Sequence, residues 1–208
     1  MPKIMNNDLF EKAVLKVISS GDPLLRQKAR LVTNEEIISH NMKQLVTFMR
    51  DTMRNYPGVG LAAPQVGIGQ QIIVAEDRQE YFKSLTRKAL LERDRKEVPF
   101  QVLFNPILTP VDDNKKIFFE GCLSVPGFLA LVERYLSVNI SALDFEGKPI
   151  SIHATGWYAR ILQHEIDHLK GTLYIDRMLT RSFTTDEHYQ RLWKNKSVKK
   201  IRTELGIK

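Results

Sequence analysis

The chain has 208 residues, of which 43% are hydrophobic and 26% charged, an ordinary balance for a globular protein with a hydrophobic core. Its apolar runs fall short of the roughly 18 residues that a membrane-spanning helix needs, so we expect no membrane partner. Its one cysteine cannot form an internal disulfide, which favours a reducing compartment. The segment Met1–Lys16 has acidic residues and no continuous apolar stretch, so it is unlike a signal peptide. These features predict a cytoplasmic protein.

The net charge of +7 is concentrated partly in residues 191–208, where Glu204 is the one acidic residue. A solvated basic tail is the simpler interpretation, and an electrostatic contact with an RNA-rich partner such as the ribosome surface is the sharper one. The segment has no nucleic-acid fold signature and no aromatic stacking motif, so we expect no sequence-specific nucleic-acid binding. We expect a single domain over residues 1–208, with a basic C-terminal extension at residues 185–208.

The N-terminal part of the chain predicts a short strand and a long helix. The run Val14–Ile18 is strand-like and is followed by a turn signal at Gly21-Asp22-Pro23. Asn34 is typical of a helix N-cap, with acidic residues in the turn after it. Apolar side chains then recur at helical spacing and predict one amphipathic helix of about 20 residues: Ile38, Met42, Leu45, Met49 and Met53.

The middle of the chain predicts several strands and one charged insertion. The glycine-rich segment 58–69 is a predicted loop. The charge-dense segment 77–98 is a predicted exposed insertion, helical in part. Runs rich in β-branched and aromatic residues predict strands at 72–74, 102–104, 117–119, 129–143 and 150–153.

Helical patterns return over Gly156–Leu169 and Thr185–Lys194. Because strands cluster in the middle and helices flank them, the predicted class is α+β rather than a series of βαβ units. We expect small mixed or antiparallel β-sheets around a central histidine-bearing helix, with an N-terminal helix and a C-terminal helix.

His164, Glu165 and His168 form the motif H-E-x-x-H within the central helix. Residues at positions i and i+4 lie on one helix face, so both imidazoles can bind one divalent cation with Glu165 beside it as a proton carrier. An ordinary, partly exposed helix face is the alternative, since the spacing also occurs by chance. A catalytic metal additionally needs a third protein ligand and an open position.

Cys122 is the leading candidate for the third ligand, although a buried, inert thiol is the alternative. A thiolate with two imidazoles leaves a vacancy for water, which is typical of catalytic sites. The cation lowers the pKa of that water, and Glu165 can accept its proton and deliver it to a leaving amine. The oxyanion formed on the substrate needs donors, and the candidates are the Gln65 side chain and the backbone N–H of Leu123. A surface loop position is the alternative for Gln65.

Three motifs, in this order, resemble the signature motifs of peptide deformylases: Gly58–Gln65, Glu120–Ser124 and Gln163–His168. The resemblance covers most of Val14–Arg181. It implies removal of the formyl group from N-formylmethionine at the start of new polypeptides, with release of formate. It implies one divalent ion per chain, in this family commonly Fe(II), which Zn(II), Ni(II) or Co(II) can replace; the sequence does not choose among them. The roles that it carries over are those of the metal ligands Cys122, His164 and His168, the proton carrier Glu165, and the oxyanion donors Gln65 and Leu123.

The segment Gly58–Leu61 resembles the edge along which the nascent peptide lies by strand addition. An apolar wall near the metal would accommodate the methionine side chain. The predicted substrate-binding residues are Val59, Gly60, Leu61, Gly121, Trp157, Arg160 and Ile161.

The chain also departs from the commoner bacterial members of the family. Leu129 stands where many of them have a substrate-binding arginine, and Trp157–Arg160 replaces smaller apolar residues. With Arg181–Thr184, these features resemble the subgroup typified by mitochondrial and plant-organelle enzymes, which some bacteria also have. The lack of a transit-peptide pattern favours a bacterial cytoplasm.

Two further hypotheses concern the charges and the function. Arg134 is predicted to neutralise Glu120 and Asp167, which each flank a metal ligand. Besides deformylation, the motifs permit two other functions. One is that of a zincin-like endopeptidase, which takes its third metal ligand downstream of the second histidine. The other is that of a non-catalytic peptide-binding relative in which the metal has a structural role.

Overall fold

A computed structural model describes residues 14–56, 58–83 and 85–207. The prediction made from Met1–Lys16 therefore lies mostly outside the described residues. The helices are α1 (Asn34–Ile37), α2 (His40–Asn55), α3 (Arg87–Arg93), α4 (Gly156–Leu169), α5 (Asp186–His188) and α6 (Val198–Leu205). The strands are β1 (Gly60–Ala62), β2 (Ile72–Asp77), β3 (Val98–Pro110), β4 (Lys115–Cys122), β5 (Val125–Tyr135), β6 (Ser137–Leu143), β7 (Pro149–Thr155) and β8 (Thr184–Thr185).

The strands form two antiparallel sheets, one of order β1-β2-β3-β6-β7 and one of order β4-β5-β8. The α+β class with antiparallel sheets is thus confirmed. The apolar run 129–143, predicted as one strand, is divided at Leu136 between β5 and β6, so it contributes to both sheets. The segment 58–69 is not wholly loop, because β1 pairs with β2 at the edge of the larger sheet.

The β1–β2 end of the larger sheet lies between α2 and α4, which explains why β2 is buried along its whole length. Successive side chains of a strand point to opposite faces. Ile73 accordingly packs with Ile161 and Leu162 of α4, whereas Val74 packs with Met49 of α2. The histidine-bearing helix therefore packs against the face of the sheet opposite to α2, and it has the bounds that the sequence predicts.

The predicted long N-terminal helix is broken into α1 and α2. Thr33, not Asn34, is the N-cap of α1, and it forms a reciprocal capping box with Glu36. Ser39 caps α2 by accepting a hydrogen bond from the backbone N–H of Met42. Two caps within six residues explain the break, and they leave Ile38 exposed between the helices.

Residues 14–19 have no regular secondary structure and Ser20 lies in a turn, so the predicted strand Val14–Ile18 is wrong. The segment nevertheless joins two other parts of the chain. The Ile18 N–H donates to the Gln65 carbonyl at 2.8 Å, and the Ser20 N–H donates to the Ser124 carbonyl at 2.7 Å.

The insertion 77–98 is partly helical, as predicted, but it is not uniformly exposed. Asp77 is buried, and Arg95 donates to both of its carboxylate oxygens at 2.7 and 2.8 Å. The end of α3 lies directly against Gly156, the first residue of α4. The insertion thus helps to fix the start of the helix that carries the histidines.

The predicted last helix, Thr185–Lys194, corresponds to α5 followed by a π-helical turn at Tyr189–Trp193. Helix α6, which was not predicted from the sequence, lies in the basic extension and buries Ile201. Within the described ranges, no helix is long and apolar enough to cross a membrane.

Replacing Gly156 by Ala is expected to destabilise the fold. Gly156 has φ +59°, and a Cβ there would lie 2.6 Å from the Asp94 Cβ and 2.7 Å from the Arg93 carbonyl oxygen. The left-handed backbone and the steric clash together cost about 2–4 kcal/mol of unfolding free energy, measurable by urea titration. Gly69→Ala is the control, because its Cβ would meet only Leu24 at an ordinary 3.5 Å. Equal stability of the two variants would contradict this account.

Candidate metal centre

Three metal-ligating side chains converge where α4 faces the end of β4. The ligand atoms of Cys122, His164 and His168 all lie within 4.8 Å of one another, and the Cys122 Sγ is 3.2 Å from the His168 Nε2. The helix supplies both histidines on one face, and the β4–β5 hairpin supplies the thiol. This donor set suits a transition-metal ion or zinc and leaves a coordination position open.

The alternation of β4 directs the thiol towards α4. Cys122 lies two residues after Glu120, so both side chains point to one face of the strand, and Glu120 contacts His164 of α4. Up to Gly121 the β4–β5 register is regular, with Gly121 opposite Leu129. It then shifts so that Cys122 lies opposite Val125, which leaves residues 126–128 of β5 without partners on β4. Leu123 follows Cys122 in the turn, so its N–H belongs to the residue immediately after the thiol.

Glu165 is only 4% exposed, and its Oε2 atom has no hydrogen-bond partner among the described residues. Burial raises its pKa to about 7, although the neighbouring His164 opposes the shift. A nearby cation would favour the charged carboxylate and lower that pKa. A Cβ on Gly60 would lie 2.4 Å from the Glu165 Oε1. Glycine at position 60 is therefore what allows the carboxylate to lie beside β1.

Gln65 is buried beside the same thiol. Its Oε1 accepts a hydrogen bond from the Ala62 N–H at 2.9 Å, which fixes the orientation of the carboxamide. Its Nε2 then lies 3.5 Å from the Cys122 Sγ. The donor end of the amide is thus directed towards the candidate metal site.

Glu120 determines which nitrogen of His164 is free. The His164 Nδ1 is 2.9 Å from the Glu120 Oε2. Desolvation raises the pKa of Glu120, but Arg134 and His164 outweigh it and hold that pKa well below its usual range. Because an ionised carboxylate only accepts hydrogen bonds, the Nδ1 must donate, which leaves the Nε2 available as a ligand.

Arg134 lies between Glu120 and Asp167, as the charge hypothesis predicts. It donates to both oxygens of Glu120 at 3.0 and 2.9 Å and to Asp167 at 2.5 Å. Two further arginines, which were not predicted from the sequence, also bind these carboxylates. Arg177 donates to both oxygens of Asp167 at 2.6 and 2.8 Å, and Arg160 donates to Glu120 at 2.6 Å. Each arginine lies 10 or more residues from the carboxylate that it binds, so no local sequence pattern predicts these contacts.

The other predicted substrate-binding residues have varied surroundings. Leu61 is buried in the core on the α2 side, and Ile161 packs in the core between α4 and the sheet. Arg160 directs its guanidinium to Glu120 and to the carbonyls of Val132 and Lys116 rather than to open space. 

Trp157 lies among the arginines of the insertion, with Arg95 at 5.3 Å and Arg93 at 5.8 Å from its ring centroid. Val59 packs beside the α4 core, and its carbonyl accepts from the Glu76 N–H. Gly121, opposite Leu129 in the hairpin, and Gly60 are the predicted contacts adjacent to Cys122 and Glu165.

The fold and the site together define a protein of α+β class with a Cys-His-His donor set and a buried glutamate. A family model described as polypeptide deformylase matches residues 14–183. The chain belongs to the polypeptide deformylase family.

The similar proteins include organellar and bacterial ones. The chain is 48% identical over 170 residues to a chloroplastic/mitochondrial peptide deformylase 1A of Arabidopsis thaliana, covering 82% of this chain and 63% of that protein. It is 39% identical over 193 residues to a peptide deformylase of Streptomyces coelicolor, covering 93% and 86%. It spans less than two thirds of the first plant relatives, 63% and 64% of their lengths.

A solved structure resembles the chain over most of its length. It is a class I type b peptide deformylase from Acinetobacter baumannii with bound Met-Ala-Ser, with TM-score 0.72 and 33% identity, covering 81% of this chain and 100% of that chain.

Arg134→Leu is expected to weaken metal retention and stability together. Without Arg134, two carboxylates lose a buried cationic partner, which costs about 3–5 kcal/mol. Disturbed support of the histidines lowers metal affinity about 10–100-fold. The measurements are urea unfolding of the metal-free protein and competition with a chelator. The control is Arg177→Leu. Its side chain is 46% exposed, so the expected loss of unfolding free energy is smaller, about 1 kcal/mol. Unchanged metal affinity in Arg134→Leu would refute the hypothesis.

Proposed function

We propose that this protein is a metal-dependent amide hydrolase that removes the N-formyl group from the N-terminal formylmethionine of newly made polypeptides and releases formate. The observation that carries the proposal is the convergence of Cys122, His164 and His168 beside Glu165 and Gln65, in a chain of the polypeptide deformylase family. The Acinetobacter baumannii structure contains Met-Ala-Ser, the peptide that removal of a formyl group from formyl-Met-Ala-Ser would leave.

Cys122, His164 and His168 are the proposed ligands of one divalent cation, which we take to be Fe(II), with Zn(II), Ni(II) or Co(II) as substitutes. When bound, such an ion supplies Lewis acidity and makes water at the site more acidic. The partnerless Oε2 of buried Glu165 is placed to accept the proton of the attacking water and to deliver it to the leaving amine. The Gln65 amide and the Leu123 N–H are the proposed donors to the formyl oxygen when it becomes an oxyanion.

The substrate peptide is proposed to lie along β1. This strand is at the edge of its sheet and pairs with β2 on one side, so its other side can accept an extended peptide by strand addition. Gly60 would then contact the peptide, and it lies beside Glu165. Val59, Leu61, Gly121, Trp157, Arg160 and Ile161 remain the proposed substrate-binding residues.

A zincin-like metallopeptidase is the alternative function, and it takes its third ligand downstream of the second histidine. Among the residues that the structure describes, the metal-ligating group that meets at His164 and His168 contains the upstream Cys122. This arrangement favours deformylation, and no observation favours the peptidase.

The proposed setting is the cytoplasm of a bacterium, which would keep the ligand thiol reduced. The proposed domain is the whole of residues 1–208. In this setting the basic extension at residues 185–208 would contact the ribosome surface, which would bring the site close to emerging N-termini. Support for the contact comes from the exposed Lys199 and Lys200 of α6.

Glu165→Ala is expected to retain the metal and lose turnover by about 10²–10⁴-fold, because the proton carrier is removed while the ligands stay. Formate release from formyl-Met-Ala-Ser measures the reaction, and metal analysis checks the loading. The control substrate is an unformylated peptide that contains Met-Ala-Ser. Full activity of the variant would rule out the assigned role of Glu165. Internal cleavage of the control peptide, without formate release, would support the peptidase instead.

Charge reversal in α6 is expected to weaken ribosome binding without changing deformylation. The variant is Lys199→Glu/Lys200→Glu, and the matched control is Lys28→Glu/Lys43→Glu, which reverses two exposed lysines elsewhere. Cosedimentation with purified ribosomes should fall at least several-fold for the α6 variant, and wild-type binding should weaken as salt is raised. Equal binding by both variants would exclude α6 as the contact.

A further inference from the structure

Ser124 is a fully buried polar residue for which the proposed reaction gives no role. It lies in the turn of the β4–β5 hairpin, outside the three metal ligands. Its hydroxyl oxygen accepts a hydrogen bond from the Gln65 Nε2 at 3.3 Å. The same nitrogen lies 3.5 Å from the Cys122 Sγ. A buried hydroxyl therefore contacts the donor group that would stabilise the oxyanion.

The contacts of Gln65 fix the orientation of its carboxamide. The Oε1 accepts a hydrogen bond from the Ala62 N–H at 2.9 Å. A carboxamide nitrogen carries two hydrogens. Ser124 accepts one of them, and the other donates a long hydrogen bond to the Cys122 Sγ at 3.5 Å. The amide is thus fixed at its oxygen and at one hydrogen, and its second hydrogen is directed towards the proposed metal site.

The backbones of the two residues are also tied together. The segment 14–20 donates hydrogen bonds from the Ile18 N–H to the Gln65 carbonyl at 2.8 Å and from the Ser20 N–H to the Ser124 carbonyl at 2.7 Å. Two donors on one short stretch of chain thereby fix the separation of two loops. The contact between the Ser124 hydroxyl and the Gln65 amide is therefore supported by hydrogen bonds to the backbone of both residues.

We propose that Ser124 is a positioning residue that orients the Gln65 amide for oxyanion stabilisation. The proposal rests on the proposed function, since it assigns the second amide hydrogen to the substrate. A preorganised donor stabilises developing charge because it needs no reorientation during the reaction. Without the hydroxyl, the amide keeps only its Oε1 anchor, and the buried N–H loses its acceptor. Its nitrogen is then free to turn further towards the Cys122 sulfur.

The orientation is tested by NMR of the Zn(II)-loaded protein, independently of activity. The side-chain amide of Gln65 is assigned by its loss in Gln65→Ala. In the wild type we expect two separate proton resonances, one of them slow to exchange with water, because one hydrogen is held in a buried hydrogen bond. In Ser124→Ala the slow proton should exchange faster. Rapid exchange of both protons in the wild type would overturn the proposal, even if Ser124→Ala failed to fold.

The consequence for catalysis is tested by a double-mutant cycle. Ser124→Ala should lower kcat by about 10-fold, a part of the 10²–10³-fold that loss of an oxyanion donor costs, with little change in KM. In the Gln65→Ala background, the same substitution should change kcat by less than about two-fold, because the amide it orients is absent. Equal effects in the two backgrounds would assign Ser124 a merely structural role and refute the proposal.

Ser182→Ala is the matched control. Ser182 is also a buried serine, and its hydroxyl accepts from the Leu131 N–H and donates to the Leu179 carbonyl, away from Gln65. It should lower the melting temperature without changing kcat or the exchange of the Gln65 amide. A loss of kcat like that of Ser124→Ala would count against positioning. If the wild type releases no formate, the proposed function fails, and the NMR result still decides whether Ser124 holds the amide.

Discussion

The ion-pair network beneath the histidines is the constraint on which the site depends. Glu120 belongs to β4 and Asp167 to α4, and Arg134 of β5 binds both carboxylates. Taking these charges out of water costs several kcal/mol per ion, so the network is stable only in a geometry that pairs them all. That geometry fixes the hairpin against the helix. The thiol and the imidazoles, which belong to those same two units, are thereby fixed relative to one another.

Two local features of the strands position the reactive groups. Cys122 follows Glu120 by two residues, so the alternation of β4 directs the thiol to the face where Glu120 contacts His164. The absence of a side chain at Gly60 leaves room for Glu165, and any side chain at position 60 would displace the carboxylate. The network thus sets the positions of whole elements, and these residues set the positions of single atoms.

The sequence predicted the parts of the fold and site that depend on local pattern. The bounds of α4 followed from helical spacing, and the Cys-His-His set followed from motifs. It failed where neighbours in space decide the outcome. The break before α2 depends on which of several polar residues caps. Nor did the sequence indicate that Glu120 and two carbonyls bind the guanidinium of Arg160, because these partners lie 28 to 44 residues away along the chain.

The brace formed by residues 18–20 is a clearer case of what sequence cannot reveal. It acts through backbone N–H groups, which every residue except proline supplies. Ile18 and Ser20 therefore need no particular side chain to hold the Gln65 and Ser124 carbonyls. The sequence of this segment is equally compatible with a surface strand. Charge pairing already fixes α4 relative to the hairpin. The segment 18–20 then determines the distance between Gln65 and the turn after Cys122. At the centre of this site, particular side chains determine the geometry and can be recognised as a sequence motif. At its edge, backbone hydrogen bonds determine the geometry, and no sequence motif reveals them.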